Sequence, residues 1–382
     1  MSEAITVFFS AAEPSGDSHC ADLIAALKEK DPNIKCVGIG GPQMAEQGCQ
    51  LLQQTTAHAA MLHNAFAKAG IFIKLLRQIK KYLRENKPDA VVLCDSPAFN
   101  FHVAKSAKKL NLKTCFYVAP QLWAWGQWRT KKLRENCDKL CCILPFEEEY
   151  FKSRDIDTTF VGHPMLDAFA NSLEQNARDY SNFEAKNATI LLLPGSRDAE
   201  INTLWKPIQR IAAKLLLKHP TIHLVAAASD EKRKQTLRAR HILGFRCEYI
   251  IDDIGAAAKQ ADFAIAASGS VTLQLAATGC PMLVLYQSNR ILWHLLGKYL
   301  IKTPYLSLVN IIAGHELVPE FMPYFTSIDP LFTRVHRMLQ NPNELTRISS
   351  ALIQTVTPLA TGTASQQTAT HILTLCQSPS PQ

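Results

Sequence analysis

The stretch at residues 190–200 constrains the fold more than any other part of the chain. Four apolar residues, Ile190–Leu193, run into a Pro-Gly pair and a polar turn, and a helical pattern begins at Ile201. A short apolar run that ends this way is typical of a buried parallel strand feeding a helix. In a doubly wound sheet, ligands bind just beyond the carboxyl ends of such strands. Gly195 would let a ligand approach and Arg197 would offer donors to a phosphate, although a structural turn with a solvated arginine fits equally well.

The same strand–turn–helix pattern repeats along the chain. Repeated βα units favour a parallel sheet. A chain of 382 residues is too long to fold around one ordinary hydrophobic core, so two domains are expected. The prediction is an α/β protein with two Rossmann-like doubly wound domains facing a cleft. Strands are predicted at 5–10, 36–39, 90–94, 114–118, 140–144, 189–193, 222–227, 248–251, 263–266 and 282–285.

Domain boundaries are expected where the alternation weakens. Residues 171–187 are polar and lack a clear apolar period, which predicts a linker. The N-terminal domain is therefore expected over residues 1–170 and the C-terminal domain over 188–345. Residues 346–382 are predicted to form helices that pack back across the domains, with a frayed tail.

Cysteine usage and the N-terminus indicate the compartment. The eleven cysteines are scattered through apolar runs without a CxxC pair, which is typical of thiols in a reducing compartment and not of disulfides or zinc sites. The chain opens on an apolar strand without the features of a signal peptide, and no apolar run approaches the length of a membrane span. These features predict a cytoplasmic protein, soluble or peripheral to a membrane.

Positive charge is concentrated between residues 68 and 134, where 15 Lys and Arg oppose three acids. Such a patch could face nucleic acid, anionic lipid or a phosphorylated substrate. Nucleic acid is the weakest of these, because no zinc finger or RNA-binding signature accompanies the charge. Within the window, Phe66–Tyr82 alternates bulky apolar and basic residues at helical spacing, as either an ordinary packed helix or a membrane-surface helix would.

Two turns of the N-terminal half carry polar residues at strand ends. Glu13-Pro-Ser-Gly-Asp17 is predicted as a turn whose Ser15 and Asp17 cap the next helix, while Gly16 permits a close ligand. Asp95, directly after the strand at 90–94, fits either a general base in a cleft or a helix cap. The loop at 116–129 holds three of the five tryptophans, which favours a cleft lining or a lipid-facing surface over plain core.

The C-terminal half adds a second candidate anion site. Ser268-Gly-Ser270 follows the strand at 263–266 and presents a glycine and two hydroxyls to a phosphate. Together with Gly195–Arg197 it makes two anion-receiving turns in one domain, as a nucleotide diphosphate needs. The stretch at 307–320 mixes polar residues into an apolar run, which is unusual for plain core. No His or Asp cluster has metal-ligand spacing, so no metal is expected.

Nine motifs in register resemble those of the lipid-A-disaccharide synthases. They run in order over nearly the whole chain, and no single one of them is decisive. The motifs are Glu13-Pro-Ser-Gly-Asp, Gly40-Gly-Pro-Gln-Met, Asp95-Ser-Pro-Ala-Phe-Asn, Val118-Ala-Pro-Gln-Leu-Trp-Ala-Trp, Leu144-Pro-Phe-Glu, Val161-Gly-His-Pro, Leu193-Pro-Gly-Ser-Arg, Ala267-Ser-Gly-Ser and the segment from Ser307 to Glu320.

The resemblance implies a GT-B glycosyltransferase at the inner face of the cytoplasmic membrane of a Gram-negative bacterium. It would transfer 2,3-diacylglucosamine, with inversion, from its UDP derivative to 2,3-diacylglucosamine 1-phosphate. The products would be a β-1,6-linked disaccharide 1-phosphate and UDP. The partners implied are the two lipid substrates and the membrane surface, with no cofactor, no metal and no nucleic acid. Whether the chain forms a homodimer stays open.

The resemblance also assigns site residues. Asp95 matches the family's candidate catalytic base. The residues implied for UDP are Gly195, Ser196, Arg197, Ser268, Gly269, Ser270, Gln274 and Asn310. The residues implied for the acceptor and the cleft are Glu13, Ser15, Gly16, Asp17, Asn100, Trp123, Trp125 and Glu316.

Departures from the family pattern keep two other interpretations open. Leu62 and Ala65 stand where Gly and Glu are usual, Ala98 where an Asp is usual, and Gln274 where a Glu would hold the ribose. These replacements favour a divergent, non-catalytic UDP- or lipid-binding paralogue, whereas the surviving Asp95 argues against one. The other interpretation is another UDP-sugar enzyme of GT-B type, such as a UDP-N-acetylglucosamine 2-epimerase. Such an enzyme acts on a water-soluble sugar nucleotide, so the tryptophan loop and the basic helix would have no lipid to bind.

Overall fold

The computed structural model describes residues 4–55, 65–251, 253–288 and 303–377, and the side chains of 65–69 are not part of that description. The chain divides into two compact units: unit 1 is Met1–Asp167 with Thr361–Gln382, and unit 2 is Ala168–Ala360. The family departures at Leu62 and Ala65 and the predicted frayed tail lie outside the described side chains. In the described part of the chain, no helix is both long enough and apolar enough to cross a bilayer.

Unit 1 contains a seven-stranded, all-parallel sheet in the order β3-β2-β1-β4-β5-β6-β7. Its elements up to residue 167 are β1 Thr6–Ala11, α1 Pro14–Lys30, β2 Lys35–Gly40, α2 Pro42–Glu46, β3 Gln50–Gln54, α3 Ala65–Asn86, β4 Ala90–Cys94, α4 Pro97–Lys108, β5 Lys113–Tyr117, α5 Thr130–Asn136, β6 Lys139–Cys142, α6 Pro145–Lys152, β7 Thr158–Phe160 and α7 Pro164–Asp167.

Helices cover both faces of this sheet, which explains why its central strands are apolar without interruption. Val7 and Phe9 of β1 point into one buried cluster, and Phe8 between them points into the other. All five residues of β4 are fully buried. A strand buried on both faces has no polar alternation, so the apolar run itself is the signal that predicts it.

Unit 2 contains a six-stranded parallel sheet in the order β10-β9-β8-β11-β12-β13. Its described elements are β8 Thr189–Leu193, α8 Asp198–Lys218, β9 His223–Ala228, α9 Glu231–Ala239, β10 Glu248–Ile251, α10 Ile254–Gln260, β11 Phe263–Ala267, α11 Val271–Ala277, β12 Met282–Leu285, α12 Leu308–Ala313, β13 Glu320–Phe321, α13 Asp329–Leu339 and α14 Pro342–Val356.

The predicted α/β class with two Rossmann-like sheets is confirmed, and every strand predicted from an apolar run is present. Three further strands escaped the sequence pattern. β3 reads Gln-Leu-Leu-Gln-Gln, β7 has three residues and β13 has two. Each pairs with only one neighbouring strand, so none needs the long apolar run that marks a central strand.

The segment interpreted as a linker, residues 171–187, is an anchored part of unit 2. The Arg178 guanidinium donates to the carbonyl oxygens of Ala258, Ala261 and Thr278. The Tyr180 hydroxyl donates to the Asp262 carbonyl at 2.9 Å, and this tyrosine is almost fully buried. The segment is polar because its side chains bind backbone carbonyls. The spacing of apolar residues in the sequence does not reveal hydrogen bonds of this kind.

The end of the chain is divided between the units. The boundary expected at 345/346 falls inside α14, which belongs to unit 2, and only Thr361–Gln382 returns to unit 1. The returning helix, α15 (Ala364–Gln377), packs on α1, and its Ala369 and Ile372 join the core cluster of Leu23 and Leu27. The first unit is therefore completed by the last helix of the chain.

Candidate active site

Both sheets place their candidate site residues at the topological switch point. The strand orders correspond to the 3-2-1-4-5-6 order of dinucleotide-binding folds, in which connections diverge between the first and fourth strands. In unit 1 the turns after β1 and β4 carry the Glu13 and Asp95 motifs. In unit 2 the turns after β8 and β11 carry the Arg197 and Ser268–Ser270 motifs. A ligand crevice is expected at such positions in open α/β sheets.

Asp95 occupies an unusual backbone conformation. Asp95 and Ser96 both have positive φ, at 56° and 41°, although neither is glycine. Such residues cost of order 1–3 kcal/mol each and persist only where their surroundings hold them. Asn100 holds them from below: its Nδ2 donates to the carbonyls of Asp95 at 2.7 Å and Cys94 at 2.9 Å, and its Oδ1 accepts from the Ser10 hydroxyl at 2.7 Å. Asn100 is fully buried, so it positions the turn from inside the unit.

The Glu13 motif meets the Asp95 turn from the neighbouring strand. The Ser15 hydroxyl donates to Asp95 Oδ2 at 2.6 Å, and the Ser96 hydroxyl donates to Glu13 Oε1 at 2.9 Å. Gly16 is buried beneath them, and a Cβ there would lie 3.5 Å from the Asp95 Cβ. At this distance a Cβ would make an ordinary contact, so the approach of the start of α1 to the Asp95 turn does not depend on the glycine. The half-exposed Asp95 carboxylate is oriented through one oxygen.

The prediction that residues 13–17 form a turn was wrong, because helix α1 already begins at Pro14. Proline suits the first helical position, where its missing N–H costs nothing. Asp17 does not cap its own helix either. Its buried carboxylate accepts from the backbone N–H groups of Gly41, Gln43 and Met44 at 2.8–3.2 Å, which caps α2. Asp17 therefore holds a neighbouring element and does not face solvent.

A histidine that the sequence analysis missed lies beside this site. His19 follows Ser15 by one helical turn and is almost fully buried. Burial lowers the pKa of His19, and the charges of Asp95 and Asp22 oppose that shift. His163 packs edge-on to it, with ring centroids 6.5 Å apart, and burial lowers the pKa of His163 to about 3. The i, i+4 spacing of Ser15 and His19 is the sequence signal that places both on one helix face.

The tryptophan loop divides between core and surface. Trp123 is buried, and its Nε1 donates to Glu147 Oε1 at 2.8 Å. Glu147 also accepts from the backbone N–H groups of Ile143 and Leu144, and burial raises its pKa to about 7. Trp125 and Trp128 are 45% and 64% exposed. The expectation of a lining or lipid-facing surface therefore fits these two and does not fit Trp123.

In unit 2 the turn after β8 is organised by a carboxylate. Gly195 has φ of 103°, and a Cβ there would collide with the Glu200 side chain. Glu200 Oε2 accepts from the backbone N–H groups of Ser196 at 3.0 Å and Arg197 at 3.2 Å. Its other oxygen meets the Arg197 guanidinium at 3.2 Å. Ser196 and Arg197 are exposed, so the turn points its polar groups toward solvent.

Arg233 supports the same turn and was not singled out from the sequence. Its Nε donates to the Ser196 carbonyl at 3.0 Å, and its Nη1 pairs with the Asp198 carboxylate. The Arg233 side chain is 12% exposed, against 63% for Arg197. Arg233 therefore belongs to the scaffold of the turn, and Arg197 is the more accessible cation. The position of Arg233 soon after the end of β9, which lies beside β8, is the only sequence signal for this role.

The turn after β11 is the more open of the two. Ser268 donates its backbone N–H to the Leu285 carbonyl at 2.8 Å. Gly269 and Ser270 are exposed, and nothing lies within 4 Å of the position of a Gly269 Cβ. Gln274 follows in α11 and is half-buried. This open glycine turn leaves room for a ligand to lie against the backbone.

Asn310 and Glu316 lie in one segment but differ in burial. The Asn310 amide is buried, donates to the Val318 carbonyl and the Glu320 carboxylate, and accepts from the backbone N–H groups of Leu317 and Val318. Glu316 is exposed. The carboxylate that organises this segment is Glu320, which also accepts from the Ser307 N–H and hydroxyl. Asn310 thus holds the segment together, and Glu320 is a residue that the sequence analysis missed.

Chemically, unit 1 presents an oriented carboxylate and unit 2 presents a cation beside two backbone turns. The first arrangement suits proton transfer, and the second suits an anion such as a diphosphate. Within the described ranges, no three His, Cys, Asp or Glu side chains group in a way that would hold a metal ion.

Comparison with known proteins identifies close sequence relatives. The family model described as lipid-A-disaccharide synthetase matches residues 7–371. A lipid-A-disaccharide synthase 1 of Legionella pneumophila (strain Paris) is 33% identical over 356 residues, which cover 90% of each chain. A lipid-A-disaccharide synthase of Trichlorobacter lovleyi is 32% identical over 382 residues and covers 97% of each chain. The similarity therefore extends over both units.

Solved structures share the fold at low sequence identity. The UDP-GlcNAc 2-epimerase from Neisseria meningitidis, bound to UDP-GlcNAc, gives a TM-score of 0.66 at 13% identity and covers 97% of this chain and 99% of its own. MurG from Acinetobacter baumannii gives a TM-score of 0.58 at 14% identity, with the same coverage. The likeness concerns the fold, two Rossmann-like domains of GT-B type.

Proposed function

The chain belongs to the lipid-A-disaccharide synthase family, and from that premise we propose how its own residues perform the reaction. It is a glycosyltransferase of lipid A biosynthesis, and its family match spans residues 7–371. We propose that unit 1 receives the lipid acceptor and that unit 2 receives the UDP-sugar donor. The observation that carries the proposal is the Asp95 carboxylate, held in a strained turn with one oxygen bound by Ser15.

Asp95 is proposed as the catalytic base. In the reaction, the 6-hydroxyl of 2,3-diacylglucosamine 1-phosphate attacks the anomeric carbon of the UDP-linked sugar. The new O6–C1 bond forms as the C1–O bond to the diphosphate breaks, the bonding electrons leave with UDP, and the hydroxyl proton passes to the base. The Ser15 hydroxyl occupies Asp95 Oδ2, and no described residue donates a hydrogen bond to Oδ1. Oδ1 is therefore the oxygen proposed to accept the proton.

Arg197 and the two glycine turns are proposed to hold the UDP diphosphate. A cation and oriented donors stabilise the charge that develops on the leaving group. Arg197 is accessible, and the turn at Ser268–Ser270 is open around Gly269. The Ser196 and Arg197 N–H groups are bound to Glu200, so Glu200 is proposed to preform the turn from which Arg197 reaches the donor. Asn310 is proposed to support the donor site indirectly, through Glu320.

Because its substrates would be lipids, we propose that the enzyme acts as a peripheral protein at the inner face of the cytoplasmic membrane. Helix α3 supports this proposal. It exposes Ile71 and Ile73, 42% and 47% accessible, together with the basic residues Lys74, Arg77 and Lys80. A basic helix with exposed apolar side chains is suited to the boundary between headgroups and acyl chains. The exposed Trp125 and Trp128 supply aromatic surface of the kind found at membrane interfaces.

The test is a thin-layer assay of the purified protein with UDP-2,3-diacylglucosamine and labelled 2,3-diacylglucosamine 1-phosphate, with and without EDTA. We expect a disaccharide 1-phosphate product that persists in EDTA. Absence of product while UDP still binds would refute the transferase proposal for this chain and favour a binding paralogue. Product that disappears in EDTA would contradict the metal-independent mechanism.

A further inference from the structure

A basic groove lies between α3 and α4 on unit 1. Its volume is about 460 Å³, and no acidic side chain lines it. Two pairs of cations at i, i+4 spacing line the groove, one pair from each helical segment, with a histidine and a serine beside them. The polar lining residues are Lys80, Arg84, His102, Lys105, Ser106 and Lys109.

The groove cations differ from other basic residues of the same unit. Lys108 pairs with Asp138 at 2.6 Å, Lys139 with Asp157 at 2.8 Å, and Lys152 with Glu148 at 2.7 Å. Among the residues that the structure describes, none of the four groove cations forms an ion pair. Like charges at i, i+4 repel, so this grouping costs free energy unless an anion neutralises it.

Helix dipoles explain only part of the grouping. Cations are favoured in the last turn of a helix, and Arg84 and Lys105 occupy such turns. The effect falls off within one turn, so it does not account for Lys80. Nor does it account for two basic pairs that line the same groove.

The groove is built on rigid packing. The Phe72 ring meets Phe99 edge-on, with centroids 5.0 Å apart, and lies 5.5 Å from the His102 ring. Ile79 of α3 and Val103 of α4 are fully buried beneath it. Because the two helices pack against each other, the backbone positions that carry the cations are fixed.

We propose that this groove binds the phosphate of an anionic phospholipid headgroup, an inference that rests on the proposed membrane function. Ile73 precedes Lys80 by seven residues on the same helix, about 10 Å at 1.5 Å per residue. Residues seven positions apart lie on the same helix face, so α3 carries exposed apolar residues and cations together, as a helix lying between acyl chains and headgroups does. A nucleic acid would leave the exposed Ile71 and Ile73 without a partner.

The experiment compares the full-length protein with Lys80→Glu/Arg84→Glu in vesicle co-sedimentation. The vesicles contain phosphatidylcholine alone or phosphatidylcholine mixed with an equal amount of phosphatidylglycerol. The matched control is Lys206→Glu/Arg210→Glu, which changes the same residue types at the same spacing on the exposed face of α8. We expect the groove variant to partition at least about tenfold less onto the anionic vesicles, since each basic residue near the surface contributes about 1 kcal/mol. The control should partition like the wild type.

Several outcomes would overturn the proposal. Equal losses in both variants would mean that net charge alone drives binding. Unchanged vesicle binding of the groove variant, with inorganic phosphate detected in the wild-type groove by calorimetry, would make it a free-phosphate site. If Lys80→Glu/Arg84→Glu does not fold, Lys105→Gln/Lys109→Gln makes the same test with milder changes.

A detergent assay separates this inference from the proposed function. In mixed micelles Lys105→Gln/Lys109→Gln should keep wild-type turnover, because these two groove residues would contact lipid headgroups and not the reacting atoms. No turnover from the wild type would refute the proposed function. The vesicle comparison would still decide whether the groove binds headgroups.

Discussion

The two units place their site residues at equivalent strand ends but build the sites in opposite ways. In unit 1 the start of α1 and the turn after β4 are joined by side chains: Ser15 binds Asp95, Ser96 binds Glu13, and the buried Asn100 binds both Ser10 and the Asp95 turn. In unit 2 the turn after β8 presents the largely accessible Arg197, and the turn after β11 exposes backbone, with nothing within 4 Å of a Cβ at Gly269. The same topology therefore supports two kinds of site.

The difference follows from what each site is proposed to do. A base must hold one carboxylate in one orientation, which requires a rigid and partly dry setting. A diphosphate presents many oxygens to many donors, so an accessible cation and open backbone suffice. We therefore expect substitutions in unit 1 to affect turnover and those in the unit 2 turns to affect UDP affinity.

The largest expected effect is that of Asp95→Asn. The amide keeps the shape of the side chain but cannot take the acceptor proton, so turnover should fall about 10²–10⁴-fold. UDP affinity, measured by calorimetry, should stay at the wild-type value. Asp89→Asn, just before the amino end of the same strand, is the control and should keep its turnover. Near-normal turnover of Asp95→Asn would contradict the proposal that unit 1 supplies the catalytic base.

The second prediction concerns the buried acid behind the tryptophan loop. Because the pKa of Glu147 is about 7 in the folded protein and near 4.5 when unperturbed, the folded state binds its proton more tightly. The free energy of unfolding should therefore be highest below pH 4.5, fall as the pH rises to 7, and be constant above, a change of about 3 kcal/mol. Urea unfolding of the wild type and Glu147→Gln across this range isolates the effect. If the free energy of unfolding varied with pH in the same way for both proteins, burial would not raise the pKa of Glu147.

The third prediction concerns the cation of unit 2. Arg197→Ala should weaken UDP binding by about 1.5–3 kcal/mol, the usual value of a hydrogen bond to a charged group. Arg210→Ala, on the exposed face of α8, is the matched control and should bind UDP normally. Calorimetry measures both variants. Unchanged affinity of Arg197→Ala would remove Arg197 from the proposed donor site.

The smallest expected effect sharpens the contrast between the two glycine turns. Gly269→Ala should change the free energy of unfolding by no more than about 0.5 kcal/mol, since the position is open, yet lower UDP affinity if the diphosphate lies against it. Gly195→Ala should destabilise the protein by more than about 1 kcal/mol, because its φ is positive and Glu200 is in the way. Chemical denaturation and UDP titration of both variants check this. Equal stability losses would show that the turn at Gly269 is also closed.

The sequence was most informative where local pattern and burial coincide. The apolar runs at 90–94, 189–193 and 282–285 match the strands to the residue, because a strand buried on both faces is apolar almost throughout. The turns at Asp95, Gly195 and Ser268 could also be placed, because proline, glycine and polar residues interrupt the pattern at strand ends. In this way the sequence determined the fold class, the doubly wound units and the strand ends at which the site residues gather.

Tertiary structure alone decided what many of those residues do. Asp17 caps α2, Asn100 supports Asp95, and the polar segment at 171–187 is fastened to unit 2 by Arg178. The partners of Asp17 and Arg178 are 24 or more residues away along the chain, and those of Ser15 and Ser96 are 80 or more. Periodicity reports only which face of a strand or helix is apolar, whereas the role of a polar side chain depends on the donor or acceptor that the fold brings to it.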